Sequence, residues 1–446
     1  MTLPNDIHNP GRRAFLQRAG LAAAAGAALP LLSSTASPAF AAVSGDPDQL
    51  FKQGKFSAAE RGYRRLLHKD RRNARALAQL GYMALLSNRF RDAETYLSKA
   101  VALQPTDIAS AQRLAESYVR RDQFARAVPL LQGTGRPRDK SFAEMFSHIK
   151  GEAWQLSGPQ STRVPFHTLD PVPSVEATLN GGKPQKFWLD TYGTLDLSPE
   201  VAEAAGIRAV ATMEGGFANN RPINIYLGVL ESFRIGDIEM RNIPVQWSDV
   251  QRPPLPDGSA AAGAFGTTIF YHFLTTMDYA GKALILRRKT ESQLRRFRAE
   301  AARTGYDRLP LWLAGDHFPC SMGSLGDYGP RMVTVDTGGI GAAFDSTVEI
   351  AKQVGFEVDL KNPIPQPGNN KLYWAKGDRI SLGKAVQRNV RGRVADKVFP
   401  GFPGPGQSAQ FGFDLIANFT HEFFKPYAIT FDYTNMHLYI AGKSLR

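Results

Sequence analysis

One cysteine, Cys320, is all this 446-residue sequence contains, so no intramolecular disulfide can form and stability has to come from buried apolar surface. The eight histidines show no metal-ligand spacing. His421-Glu422 lacks the second histidine that a zinc helix needs, and His317-Phe318-Pro319-Cys320 has no second ligand pair. No serine sits in a G-x-S-x-G elbow. Gly338-Gly339-Ile340-Gly341 misses the third glycine of a dinucleotide loop, since Phe344 stands there. No metal or cofactor is therefore implied. Long apolar runs are also missing except near the N-terminus. There the run from Ala19 to Leu32 is short for a bilayer-spanning helix and is broken by Gly20, Gly26 and Pro30. What remains is a globular composition, 43% hydrophobic and 21% charged, long enough for two to three domains.

The N-terminal run follows Gly11-Arg12-Arg13-Ala14-Phe15-Leu16 and leads to the small-residue site Ala39-Phe40-Ala41. A charged start, an apolar middle and an A-x-A end predict a signal peptide over 1–41. The arginine pair resembles the twin-arginine export signal of bacteria, with Gly11 in place of the usual Ser or Thr. A periplasmic or secreted location is expected. The formal charge is +13, and three Arg against one Asp leave with residues 1–41, so +11 remains. Such a charge allows peripheral contact with anionic membrane surfaces, or it is solvation only. Nucleic acid is not an expected partner in that compartment.

Between Asp46 and Arg136 the sequence repeats every 34 residues. Phe56, Phe90 and Phe124 keep that spacing, as do Ala59, Ala93 and Ala127, and Leu80 with Leu114. Phe56, Ala59 and Tyr63 fall on one helical face. Turns such as Gln53-Gly54-Lys55 and Ser87-Asn88-Arg89 separate the helices. The pattern resembles the tetratricopeptide repeat, over two and a half to three copies across 46–136. The resemblance implies an all-α array that binds a peptide or partner protein in its groove, or serves as a rigid spacer. Because such helix pairs bury their apolar faces only against neighbours, the array needs a cap or a docking surface. A linker, 137–163, is expected to follow.

From Val164 onward short β-rich runs alternate with Gly, Pro and Asn. Two copies emerge, 164–286 and 309–446, joined by a basic connector over 287–308. Landmarks pair between them. Asp190-Thr191-Tyr192-Gly193 answers Asp336-Thr337-Gly338, 146 residues on, and Ile235-Gly236 answers Leu382-Gly383. Phe265-Gly266 answers Phe411-Gly412, and Asp278-Tyr279 answers Asp432-Tyr433. In each copy an apolar strand delivers the aspartate into a turn and a helix follows. Ser198 with Pro199 starts that helix in copy one, and Asp345 or Ser346 in copy two.

This order resembles the retropepsin-like aspartic proteases of bacteria, fused into the two-lobed form of pepsin. The fold expected is mainly β and duplicated. The resemblance implies endopeptidase hydrolysis, with Asp190 and Asp336 as the catalytic pair. Two neighbouring carboxyls share one proton; the charged member deprotonates a water and the protonated one stabilises the oxyanion. Thr191 and Thr337 then hydrogen-bond across the pair, and Gly193 and Gly338 permit the tight turns. Peptide or protein is the implied substrate. Tyr192 departs from the pattern where Gly is expected. Either its side chain crowds the pair, or the turn bulges by one residue and Gly193 serves. The first outcome would make the chain a peptide-binding pseudo-protease; a separate alternative makes the repeats the functional part, an envelope scaffold with the β lobes as ballast. A flap is expected at Gly215–Asn220, with a counterpart at Asn369–Trp374. Gly216, Phe217, Tyr373 and Trp374 are its candidate substrate contacts, unless these aromatics simply pack on the hairpins.

Overall fold

The computed structural model describes residues 45–218, 221–250, 252, 254–365, 370–399 and 401–442. The expected signal peptide lies outside the described residues, as do Asn219, Asn220 and Asn369.

Seven helices come first: α1 (Pro47–Lys52), α2 (Phe56–Lys69), α3 (Ala74–Leu86), α4 (Phe90–Leu103), α5 (Ile108–Val119), α6 (Phe124–Gly133) and α7 (Pro137–Ser147). The 34-residue period is visible in their punctuation. The chain enters α2, α4 and α6 through Gly54, Asn88 and Asp122, all at positive φ and 34 apart. Gly, Asn and Asp are residue types that tolerate this left-handed conformation. Asn73 and Asp107, also 34 apart, cap α3 and α5 by accepting from Ala76 N (2.9 Å) and Ser110 N (3.3 Å). The stretch 137–163 is not a bare linker. Pro137 starts α7 at its first position, five residues ahead of the repeat's phase, and strand Gln155–Ser157 pairs with Ile238–Ser248. Strand Ser161–Pro165 then opens the first lobe.

The β region is built twice. In the first lobe Gln185–Asp190 lies between Ser174–Leu179 and Gly263–Gly266, followed by Asp196–Leu197 and Ile238–Ser248. In the second, Tyr328–Val335 lies between Phe318–Leu325 and Ala417–Phe419, followed by Phe344–Thr347 and Ala385–Ala395. Each aspartate-bearing strand pairs parallel to its neighbour, with Leu189 opposite Phe265 and Val335 opposite Phe419. That register corrects one landmark. The counterpart of Phe265-Gly266 is Phe419-Thr420, not Phe411-Gly412. Gly412, at φ 78, only ends a one-turn helix, Ser408–Phe411, inserted ahead of the strand. The helix cap of the second copy also differs from expectation. Thr347 accepts from Ile350 N at 3.2 Å, while Asp345 and Ser346 are buried in the preceding strand.

A six-stranded antiparallel sheet joins the lobes, in the order Asp307–Pro310, His437–Ala441, Ala428–Asp432, Phe273–Asp278, Ala283–Arg288, Ser161–Pro165. Its centre is Thr276 opposite Thr430, whose hydroxyls meet at 2.7 Å. The basic connector forms helix Glu291–Thr304. It buries Leu294, Phe297 and Ala301 on Leu274 and Tyr439 of this sheet and turns its charged face outward.

The array docks on the second lobe. Phe56 meets Trp312 and Phe413 edge-to-face at ring distances of 5.3 and 5.2 Å. Tyr82 donates to Phe411 O at 3.1 Å, Asn88 to Tyr433 O at 2.9 Å, and Asp414 N to Lys52 O at 2.7 Å. The lobe thus covers an apolar face that the helices could not bury among themselves.

Candidate active site

Each lobe carries its aspartate on the last residue of, or just after, a buried strand. Asp190 ends Gln185–Asp190, and Asp336 follows Tyr328–Val335. The turns meet back to back at the pseudo-two-fold axis. Thr191 N donates to Thr337 Oγ1 and Thr337 N to Thr191 Oγ1, both at 3.0 Å. The hydroxyls cross to the opposite strands, Thr191 Oγ1 to Val335 O at 2.7 Å and Thr337 Oγ1 to Leu189 O at 3.4 Å. Both threonines are fully buried. Two polar side chains with no water access are each satisfied by the other lobe, which fixes the aspartates' relative placement.

Above this cross-bond the two carboxyls lie close enough for each to act on the other's charge. Tyr192 N donates to Asp190 Oδ1 at 2.7 Å, and Gly338 N donates to Asp336 Oδ1 at 2.9 Å. The turns therefore match residue for residue. No bulge shifts the role to Gly193; the Tyr192 amide does what the Gly338 amide does. The Tyr192 ring packs edge-to-face on Phe318 at 4.9 Å and its hydroxyl donates to Gln407 Oε1 at 3.1 Å. Gly338 has no such freedom. A Cβ there would stand 2.5 Å from both Asp190 carboxylate oxygens.

Asp336 is 4% exposed, and Asp190 is only partly buried. Burial, reinforced by the Asp190 charge, pushes the Asp336 carboxyl well above the ordinary carboxylate range. Burial also raises Asp190, against the pull of the Tyr192 amide, His317, Asp336 and Arg252. The pair is arranged to hold one proton at a pH where isolated carboxyls hold none.

Sequence reasoning missed the groups behind the pair. Asn418 donates to Asp336 Oδ2 at 2.8 Å and to Asp345 Oδ2 at 3.2 Å. Arg393 Nε donates to Asp345 Oδ1 at 2.7 Å. In the first lobe the position of Asp345 is held by Asp196, ion-paired with Arg252. The only local signal was a polar residue inside the apolar run Leu415-Ile416-Ala417-Asn418-Phe419.

His317 also enters the site, on the turn between strands Trp312–Ala314 and Phe318–Leu325. Its Nδ1 is 2.6 Å from Asp316 Oδ1, and Arg138 of α7 reaches Asp316 Oδ2 at 3.3 Å. Burial alone would lower the imidazolium, but Asp316 and Asp190 outweigh it and raise its pKa. Asp316 is pushed far down, since these cations overcome its own burial. A raised histidine contributes stability that is full below its unfolded value, about 6.5, and is lost as pH rises through the folded value. Across that window Asp316 remains ionised. The stability deficit of a His317→Gln variant is therefore expected to be largest near pH 6 and to shrink as pH rises, read by urea unfolding at stepped pH. A deficit that grows with pH would contradict the ion pair.

The expected flap is present as backbone: Gly216 and Phe217 lie in strand Ala211–Ala218, opposite Ile223 and Pro222. Tyr373 does not project as a substrate contact; it is buried in the core of the second lobe. Trp374 lies under the Arg391 guanidinium, 3.5 Å from the ring centre. A cavity of about 560 Å³ remains between the helices and the lobes; Arg113, Glu116, Trp154, Thr194, His272 and Asp316 help to line it, and neither aspartate does. Asp170, His421 and Glu422 gather as metal-ligating types. Lys425 pairs with both carboxylates of that group, so an ammonium already balances their charge.

A family model described as aspartyl protease matches residues 175–268, the stretch from the first-lobe sheet through Asp190 to Thr268. No curated protein matches. Among solved structures, a mutant O-GlcNAc transferase from Thermobaculum terrenum is 24% identical with a TM-score of 0.22, over 24% of this chain and 21% of that one. This chain therefore spans about a fifth of that protein, and a likeness so slight carries no argument.

Proposed function

We propose that the chain is an exported aspartic endopeptidase in which Asp190 and Asp336 activate one water. The observation that carries this reading is the pair of reciprocal Thr191–Thr337 bonds, which set two buried aspartate turns against each other. The charged carboxylate takes a proton from the water as its oxygen attacks the peptide carbon. The protonated partner gives its proton to the carbonyl oxygen. Collapse of the tetrahedral diol then returns a proton to the leaving amine. The family match over 175–268 supports a peptidase of this class.

The rival reading, a peptide-binding pseudo-protease silenced by Tyr192, is disfavoured by that residue's placement. Its amide serves the turn and its ring leans on Phe318. The helical repeat fits a tetratricopeptide array, but the face bearing Phe56 and Tyr82 is spent on the second lobe. A recruited protein would have to use another face. The array's own contribution is to hold the Gly315–His317 turn, through Arg120 and Arg138, beside Asp190. Export rests on the sequence of 1–41, and contact with anionic membrane on the charge of +11 that remains without it.

The test is digestion of a mixed peptide library by the mature chain from acid to neutral pH. Cleavage with a bell-shaped pH profile is expected. Folded protein that cuts nothing at any pH would leave the cleft a binding site.

A further inference from the structure

The lobes repeat each other so closely around the aspartates that the positions where they differ are informative. The strand partner of Trp188 is Ala264; the partner of Thr334 is Asn418. Both lobes set a carboxylate beside that position, Asp196 opposite Ala264 and Asp345 opposite Asn418. Each carboxylate has its arginine, Arg252 or Arg393. In the first lobe the alanine methyl can connect nothing. In the second, the Asn418 amide spans Asp336 and Asp345, and its oxygen accepts from Thr334 Oγ1 at 2.7 Å. Turning that amide over would aim its oxygen at two carboxylates, so the network fixes its orientation.

We propose that Asp345, tied to Asp336 through the Asn418 amide, is the positioning residue that divides the labour of the pair, so that Asp336 carries the shared proton and Asp190 the charge. The inference rests on the protease reading of the site. The Gly338 and Tyr192 amides act in the same direction on the two aspartates. What differs is the surroundings. Asp336 faces Asp190, Asp345 with the more distant Arg393, and the Tyr192 hydroxyl; the Tyr279 hydroxyl faces both aspartates. Asp190 faces His317 and Arg252. Cations beside Asp190 favour its charge; an anion behind the more buried Asp336 favours its proton. The Asn418 N–H alone would favour a charged Asp336, but burial and Asp345 act the other way. A carboxyl oxygen can hold a proton and still accept that bond. Asn418 thereby pins Oδ2 without demanding ionisation.

The experiment is a carboxyl-carbon NMR titration of Asp190 and Asp336 in the full chain, with cleavage profiles alongside. Wild type is compared with Asp345→Asn, Asp196→Asn, Arg393→Gln and Asn418→Ala. In Asp345→Asn the upper step of the pair is expected to fall by about one pH unit, a tenfold loss of proton affinity, and the basic limb of cleavage with it. Asp196→Asn should leave that step in place. Arg393→Gln, which unmasks Asp345, should raise it, and serves if Asp345→Asn does not fold. Asn418→Ala should lower kcat about tenfold or more with little change in KM. An unmoved upper step in folded Asp345→Asn or Arg393→Gln, or an equal fall in Asp196→Asn, overturns the assignment. Wild type that shows the split titration but no turnover sinks the protease reading and leaves the assignment standing. Turnover with unmoved steps sinks the assignment alone.

Discussion

Exchange of either aspartate for asparagine is expected to remove turnover, by about 10²–10⁴-fold or more, yet only one exchange should also weaken the fold. Asp190 accepts from Tyr192 N through Oδ1, and its carboxyl otherwise faces Asp336. Asparagine fits there, with its oxygen toward the amide and its NH₂ toward a carboxyl. Asp336 accepts at both oxygens, from Gly338 N at 2.9 Å and from Asn418 Nδ2 at 2.8 Å. An amide can keep one of these bonds but must turn its own NH₂ against the other donor. Asn418 cannot move aside, because Thr334 and Asp345 hold it. A buried donor left unsatisfied costs about 1–3 kcal/mol. Cleavage assays with urea unfolding of both variants separate the two effects. Equal stability in the two would contradict the asymmetric hydrogen bonding, and turnover in Asp190→Asn would remove the dyad mechanism.

The parts legible in the sequence were those encoded in local backbone needs. Gly236 and Gly383 recur because both hairpins turn at positive φ, 56° and 60°. The two aspartates recur because one strand and turn is made twice. The Phe411-Gly412 landmark misled because an apolar residue before glycine also ends a short helix, and the strand register that discriminates is not local. Tyr192 looked disruptive for a related reason. Neither it nor Gly338 adopts positive φ, so glycine at that turn is demanded by the opposing carboxylate rather than by the backbone. At 338 the space is taken by Asp190; at 192 it is open to a ring. Asn418 and Asp345 meet only through strand pairing across 73 residues, which no spacing rule anticipates. The docking of the array was legible only as a need for a cover, which the protease-like part was one candidate to supply. An apolar stripe on a helix shows that something covers it, not whether the cover is a neighbouring helix, another protein or the chain's own second lobe.

That docking has a single most committed residue, and Arg120→Ala is expected to cost about 3–5 kcal/mol, against a total of about 5–15 kcal/mol for ordinary domains. Its guanidinium pairs with Glu116 at 2.8 Å and donates to Leu85 O at 3.0 Å within the array. It also donates to Leu313 O at 3.1 Å and Gly315 O at 2.5 Å in the second lobe. The side chain is 4% exposed. Truncation leaves a largely buried Glu116 and three carbonyls without their donor, close to the case in which a buried pair is most expensive to break. Arg120→Lys keeps the charge but not the planar fork, and should fall between wild type and alanine. Urea unfolding followed by a helical signal and by the tryptophans of the lobes should give one coincident transition, shifted as a whole. The turn that Arg120 holds continues into His317, so the alanine variant should also lose the raised titration of that histidine and part of its turnover. A variant in which the helices melt first while cleavage survives would show an array merely tethered to the peptidase rather than part of its body.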